Sequence, residues 1–138
     1  YILGLSPHNK HFEVAQRENE AIFHEDSYLQ KYDGFSPDEA FSYILLANMQ
    51  RAHRQQSLVL ANLVEEEFEE ALGRHSRGVK QAAFLVLARA AMPSILIETG
   101  YLTNAQDEAY LTELGHRWEV AGSVFRAIRR YILLKTMM

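Results

Sequence analysis

The sequence predicts an α/β fold, of which this chain supplies a helix-rich part with two or three strands. Apolar segments typical of strands alternate with helical segments in the second half of the chain, which is the pattern of a parallel sheet covered by helices. Strands that are apolar throughout are buried on both faces, so a sheet of two or three of them does not stand alone. We therefore expect further strands to precede Tyr1, where the chain opens with a strand-like run and not with methionine.

The first half of the chain is predicted to be mainly helical. Residues 1–5 are a short apolar run typical of the end of a buried strand, and residues 12–23 carry a thin apolar stripe that indicates a marginal helix. Residues 36–39, Ser-Pro-Asp-Glu, are typical of a helix start in which the serine caps the backbone and the glutamate completes a capping box. We expect this helix to run to about Leu72 and to end at Gly73.

Strands and helices are both predicted in the second half. Residues 83–88 are apolar and partly β-branched, and residues 93–98 form the clearest strand, bounded by a proline and a glycine. Asn104 is placed to cap a helix over about 105–114, and Gly115 is expected to break the helical pattern. A last helix is predicted over residues 117–137, with a buried face formed by Val120, Val124, Ile128 and Ile132.

Composition restricts the possible functions. The 138 residues are enough for one compact domain, and the formal charge of −4 argues against a general electrostatic attraction to nucleic acid or anionic lipid. There is no cysteine, so disulfides and thiolate metal sites are excluded, and no apolar stretch reaches the length of a membrane span. We interpret the basic residues near the C-terminus as capping and solvating the last helix: Arg126, Arg129, Arg130 and Lys135.

Glu98 is exceptional because it ends a wholly apolar strand and is followed by Thr99-Gly100, a turn that permits close backbone approach. In open α/β sheets, ligands bind outside the carboxyl ends of the strands. A carboxylate held there is well placed to transfer protons or to steer a metal-bound water. Spacing alone also allows a structural interpretation, in which Glu98 leaves the core at a strand end and forms a salt bridge or caps a neighbouring helix.

Two blocks in this region form a longer pattern. Residues 77–87 begin Arg-Gly-Val-Lys-Gln-Ala, and residues 93–104 are Pro-Ser-Ile-Leu-Ile-Glu-Thr-Gly-Tyr-Leu-Thr-Asn. In this order they closely resemble the C-terminal signature of the zinc-dependent N-acetylmuramoyl-L-alanine amidases. The resemblance is tight over about residues 77–132, whereas residues 1–72 resemble a helical insertion found in members that act in cell division.

The resemblance implies that residues 1–138 are the C-terminal portion of one catalytic domain, built around a mostly parallel six-stranded sheet, with a helical autoinhibitory insertion at about 12–72. It implies an enzyme in which a zinc-activated water cleaves the amide between N-acetylmuramic acid and L-alanine of peptidoglycan. Glu98 falls on the acid/base glutamate of the family. Arg77, Gly100 and Asn104 match positions that support the substrate loop.

The departures from the family pattern are small within the motif and large outside it. Tyr101 stands where phenylalanine is usual, and Thr103 where serine is usual. The family holds Zn²⁺ with two histidines and a glutamate, and these ligands are expected upstream of Tyr1, so the chain alone is expected to be inactive.

Glu18 is a second candidate site residue. Residues 15–20, Ala-Gln-Arg-Glu-Asn-Glu, resemble the start of the autoinhibitory insertion, in which the glutamate before the asparagine approaches the zinc. By that match Glu18 is a fourth metal ligand or an occluding carboxylate, and the alternative is a charged face on a surface helix. We interpret the histidines near it, His8, His11 and His24, as solvated side chains without a ligand pattern.

The resemblance also implies partners and a location: peptidoglycan as substrate, an activator protein that relieves autoinhibition, and the periplasm or cell envelope of a bacterium. Neither nucleic acid nor a membrane span is expected. The alternative function is a non-catalytic helical module that binds cell-wall material or a partner protein. A parent polypeptide without ligand histidines ahead of this segment would distinguish the module from the enzyme.

Overall fold

The computed structural model describes residues 1–4, 12–31, 53–74, 76–88 and 90–137. The chain divides into two compact units, the first formed by Tyr1–Ser57 with Lys80–Ile95 and the second by Leu58–Val79 with Leu96–Met138. The elements in chain order are β1 (Ile2–Leu3), α1 (Phe12–Asn19), a 3₁₀ helix (Glu20–His24), α2 (Tyr28–Lys31), α3 (Arg54–Leu72), β2 (Gln81–Ala82), α4 (Leu85–Ala88), α5 (Ala105–Thr112) and α6 (Leu114–Thr136).

The first unit contains a small parallel sheet. Strands β1 and β2 pair in parallel, with Ile2 opposite Gln81 and Leu3 opposite Ala82. Gly4 continues the pairing by donating its backbone N–H to the carbonyl of Ala82 at 3.0 Å. A Cβ at Gly4 would lie 2.6 Å from the Cβ of Gln81, so this close approach requires glycine.

A buried asparagine joins α1 to the segment that follows β2. Asn19 is 4% exposed, and its Nδ2 donates to the carbonyl of Ala83 at 2.8 Å. Its Oδ1 accepts from the backbone N–H of Leu85 at 2.9 Å. Because both ends of the amide are satisfied, the buried side chain anchors α1 without a desolvation penalty. The predicted marginal helix at 12–23 is therefore confirmed, with its second half wound as a 3₁₀ helix.

The second unit joins α3 to α6 through ion pairs. Glu67 is buried on α3, and its carboxylate accepts hydrogen bonds from Arg126 at 2.7 Å and from Arg130 at 3.2 Å. Arg130 also binds Glu66 at 2.8 Å. The hydrogen bond from Arg126, aided by Arg130, holds the pKa of Glu67 below its ordinary 4.5 despite burial. These two arginines, predicted from the sequence to cap and solvate the last helix, are 47% and 43% exposed and also clamp that helix to α3.

The α/β class is confirmed by the helix-rich chain and its parallel strand pair, but the strands lie elsewhere than predicted. Residues 85–88 form α4, and the strand before them is Gln81–Ala82. Residues 93–98 have no regular secondary structure, and among the described residues only β1 and β2 pair as strands. The backbone N–H of Ser94 instead donates to the hydroxyl of Ser57 at 3.0 Å.

The predicted helix ends are partly confirmed. Gly73 ends α3 with a φ of +58°, a left-handed conformation that favours glycine. The break before the last helix falls at Glu113, so the prediction of a break at Gly115 is wrong by two positions, and Gly115 lies within α6. The predicted helix start at 36–39 lies outside the described residues.

The face that the last helix buries shares only Val120 with the predicted one. Its buried residues are Val120, Ser123 and Ala127, whereas Ile128 is 42% exposed and Ile132 56% exposed. The prediction followed β-branched apolar residues at helical spacing, whereas two of the three buried residues are small. No helix in the described part of the chain is long and apolar enough to cross a bilayer.

Candidate active site

Glu98 follows the mainly apolar residues 93–97, and its side chain is exposed. The nearby Glu98 carboxylate, together with burial of the phenol, raises the pKa of Tyr101 above its ordinary 10.0, and Arg77 partly opposes the rise. Glu98 is therefore open to solvent, on a loop that also carries Tyr101.

The loop that carries Glu98 is held by the carboxylate of Asp107 on α5. Asp107 accepts the backbone N–H of Tyr101 at 3.0 Å and pairs with the guanidinium of Arg74. Arg74 also donates to the carbonyl of Thr99 at 2.7 Å. The side chains of Asp107 and Arg74 are only 13% and 24% exposed. We call these three contacts the Asp107 network; they fix the backbone on both sides of Gly100.

Gly100 and Asn104 shape the turn between Glu98 and α5. A Cβ at Gly100 would lie 3.0 Å from the Cβ of Asp107 and 3.2 Å from Cδ1 of Leu111, so the turn lies directly against the helix. Asn104 is the N-cap of α5, and its Oδ1 accepts the backbone N–H groups of Gln106 and Asp107. The predicted cap is confirmed, and the close approach expected at Gly100 is present.

Two arginines flank the loop and contact aromatic rings. The guanidinium of Arg77 lies 4.7 Å from the centre of the Tyr101 ring and 4.0 Å from the carboxylate of Asp107. Arg74 lies 4.5 Å from the centre of the Tyr110 ring. Cation–π contacts of this kind stabilise the rings by about 0.5–1 kcal/mol each where solvent has access. The Arg77 side chain is 54% exposed, so its charge is also available at the surface beside Glu98.

Four of the predicted site residues meet in the second unit. Glu98, Gly100 and Asn104 lie on the loop that leads into α5, and Arg77 reaches this loop from the segment between α3 and β2 through Tyr101 and Asp107. Glu18 belongs to the first unit, where it is exposed on α1 next to the buried Asn19.

Sequence reasoning missed the roles of Arg74 and Asp107. Asp107 lies three residues after the helix cap Asn104, a spacing typical of a capping box, and this spacing was the available signal. Its carboxylate reaches past the cap to Tyr101, however. Arg74 is 33 positions away from Asp107, and no local pattern pairs them.

The described residues do not by themselves form a metal site. Among them, no group of three or more histidine, aspartate or glutamate side chains could hold a metal ion. Glu98 and Tyr101 provide a carboxylate and a hydroxyl, which suit proton transfer.

Comparison with known proteins identifies the family. Residues 8–130 match the model of the N-acetylmuramoyl-L-alanine amidase family, so the chain belongs to that family of amidases. It is 29% identical over 94 residues to N-acetylmuramoyl-L-alanine amidase AmiA of Escherichia coli K12, covering 68% of this chain and 32% of the relative.

Two further relatives carry related names. The chain is 38% identical over 88 residues to the amidase AmiC of Neisseria meningitidis, covering 64% of this chain and 21% of the relative. It is 36% identical over 56 residues to the probable cell wall amidase LytH of Staphylococcus saprophyticus, covering 41% and 19%. The chain thus spans about a third or less of the length of these relatives. No solved structure matches it.

Proposed function

We propose that this chain supplies the acid/base carboxylate of a peptidoglycan hydrolase, which cleaves the amide between N-acetylmuramic acid and the L-alanine of the stem peptide. The family and the names of its relatives support the reaction class. The observation that carries the assignment within this chain is Glu98, an exposed carboxylate on a loop held by the Asp107 network.

The chemistry of amide hydrolysis suits one carboxylate with two tasks. A base takes a proton from water as the water oxygen bonds to the carbonyl carbon, and an acid then returns a proton to the nitrogen as the carbon–nitrogen bond breaks. A single ionised carboxylate performs both steps in turn, and the products are a lactyl carboxylate and the free amine of L-alanine. Glu98 meets the geometric requirement, since an exposed carboxylate is accessible to water and substrate.

The two arginines that flank the loop contact other groups, which also supports this role. A carboxylate engaged by arginine would be stabilised in its ionised form, as Glu67 is by two arginines of α6. Arg74 and Arg77 contact Asp107 and aromatic rings instead. Their positive charges therefore hold the loop, while the side chain of Glu98 is exposed.

Zinc dependence is part of the proposal. Zinc, when bound, would make a water molecule a stronger nucleophile toward the carbonyl carbon of the amide. Its ligands would come from outside the described part of the chain. We further propose that the intact enzyme acts in the bacterial periplasm or cell envelope during cell division, and that this chain is inactive alone.

We also propose that residues 12–72 restrain the activity until an activator protein binds. The support is local: Asn19 anchors α1 by a buried amide, and the neighbouring Glu18 is exposed, as a carboxylate that competes for a metal or a cleft must be. If this is right, Glu18→Ala raises the basal activity of the intact protein. An unchanged or lower activity, in a variant with wild-type folding, contradicts the restraint.

The central experiment compares Glu98→Gln with a matched control. The intact gene product is incubated with purified sacculi, and the released stem peptides are quantified with and without a chelator. Glu98→Gln should lower kcat by about 10²- to 10⁴-fold, because proton transfer is lost while side-chain size is kept. The control is Glu108→Gln, an exposed carboxylate on α5, which should retain wild-type activity.

Two results would overturn the proposal. Wild-type release by Glu98→Gln would remove the acid/base assignment. A wild-type protein that is folded and zinc-loaded but releases nothing, while still binding sacculi, would favour the non-catalytic binding module.

A further inference from the structure

Arg77 presents its guanidinium at the surface of the loop that carries Glu98. The Arg77 side chain is 54% exposed, and its guanidinium lies 4.7 Å from the centre of the Tyr101 ring. Tyr101 follows Glu98 by three positions in the sequence, so their Cα atoms are at most about 11 Å apart. A positive charge is therefore held on the same loop as the candidate acid/base carboxylate.

The ion pair of Arg77 with Asp107 is too long to satisfy the guanidinium. A nitrogen of Arg77 lies 4.0 Å from an oxygen of Asp107, beyond hydrogen-bond distance, and the same oxygen accepts the backbone N–H of Tyr101 at 3.0 Å. In the same unit, by contrast, Arg126 donates to Glu67 at 2.7 Å. Because a guanidinium carries several N–H donors, Arg77 is held by an aromatic ring and keeps the capacity to bind a further carboxylate.

We propose that Arg77 binds a free carboxylate of the stem peptide and so positions the peptide side of the scissile amide near Glu98. The inference rests on the proposed function and deepens it, since it names the part of the substrate that this chain recognises. Stem peptides of peptidoglycan carry free carboxylates. The planar guanidinium matches a carboxylate by two parallel N–H···O hydrogen bonds, whereas a lysine would offer only a point charge.

Carboxylate binding and simple support of the Tyr101 ring have different effects on catalysis. Support of the loop affects every substrate alike, whereas carboxylate binding affects only substrates that carry the carboxylate. Binding of this kind is made before the chemical step and kept through it, so its loss should raise KM and leave kcat nearly unchanged.

The test uses the intact protein and one batch of purified sacculi. The amino groups are first acetylated to prevent cross-linking, and half of the batch then has its carboxylates converted to carboxamides with a carbodiimide and ammonia. At low substrate concentration the wild type should release stem peptides about 5- to 20-fold faster from the untreated half, the effect of a partly solvated hydrogen bond to a charged group. Arg77→Gln should remove this preference by raising KM for the untreated half, with kcat changed less than about twofold.

Two further variants control for charge and for folding. Arg129→Gln removes the same charge from an exposed position on α6 and should keep the wild-type preference. Arg77→Lys should keep part of the preference, because the charge remains while the planar fork is lost. Each variant is also followed in urea unfolding. If Arg77→Gln proves unfolded, the comparison of Arg77→Lys with the wild type on the two halves decides the result.

The outcomes separate this inference from the proposed function. Equal release from the two halves by the wild type, or a preference that Arg77→Gln retains in full, overturns the carboxylate role while the proposed function stands. An equal loss on both halves in Arg77→Gln also overturns it, since Arg77 then only supports the loop. If the wild type releases stem peptides from neither half, the proposed function fails and the inference fails with it.

Discussion

Asp107 should be the residue on which the shape of the candidate loop depends most. Substitution by alanine deletes the acceptor for the backbone N–H of Tyr101 and the partner of Arg74. The ion pair between Asp107 and Arg74 is well shielded from solvent, since the two side chains are 13% and 24% exposed. The arginine would keep its hydrogen bond to the carbonyl of Thr99.

The magnitude follows from these contacts. A hydrogen bond to a charged group contributes about 1.5–3 kcal/mol net, and two are lost. Arg74 keeps one acceptor and some solvent, so the full penalty of about 3–5 kcal/mol for an unpaired buried charge does not apply. Water can replace the exposed contact to Tyr101, so we expect Asp107→Ala to lower the free energy of unfolding by about 2–4 kcal/mol, less than the sum of two such bonds.

The assay is urea unfolding of the intact protein, followed by circular dichroism, with Glu108→Ala as control. Glu108 is the next residue on α5 and is exposed, so its change should stay within about 0.5 kcal/mol. A double-mutant cycle with Arg74→Met should give a coupling energy of about 1 kcal/mol or more. If Asp107→Ala is no more destabilising than the control, or the coupling energy is near zero, the Asp107 network does not hold the loop.

Two further predictions concern packing and pH. Gly100→Ala should lower the free energy of unfolding by about 1–3 kcal/mol, because the new Cβ would lie 3.0 Å from that of Asp107; a neutral result in urea unfolding would mean that the turn can move away from α5. The pKa of Glu67 is lower in the folded state than its ordinary 4.5. Its pairs with Arg126 and Arg130 therefore stabilise the protein fully at pH values above the unfolded-state pKa. This stabilisation is lost as the pH falls through the lower folded-state pKa. Glu67→Gln should flatten the acid part of the stability–pH curve, and an unchanged curve would contradict the assignment.

Short-range signals in the sequence predicted the ends of helices well. Gly73 and Asn104 act through backbone conformation and through hydrogen bonds to residues two and three positions away, so their effect is visible in a local pattern. The same holds for the Thr-Gly turn after Glu98. The family resemblance came from motifs of this local kind, and the family match confirms it.

Strand positions were less predictable, because an apolar run is compatible with either a buried strand or a buried helix. Residues 85–88 became α4, with Leu85 and Leu87 buried, and the strand formed at Gln81–Ala82 opposite β1. A segment forms a strand only where another strand pairs with it. The partner of β2 is β1, which lies far away in the sequence. The buried face of α6 was misassigned for a related reason: apolar size does not reveal which face has a neighbour.

The sequence by itself determined the kind of protein and its chief candidate residue: an amidase-family chain with Glu98 at the start of a glycine turn. Only the tertiary structure decided how that residue is held. It joins Arg74 to Asp107 across 33 positions. The physical reason is that an ion pair or hydrogen bond between distant residues depends on the path of the whole chain, whereas caps, turns and motifs depend on a few neighbouring residues.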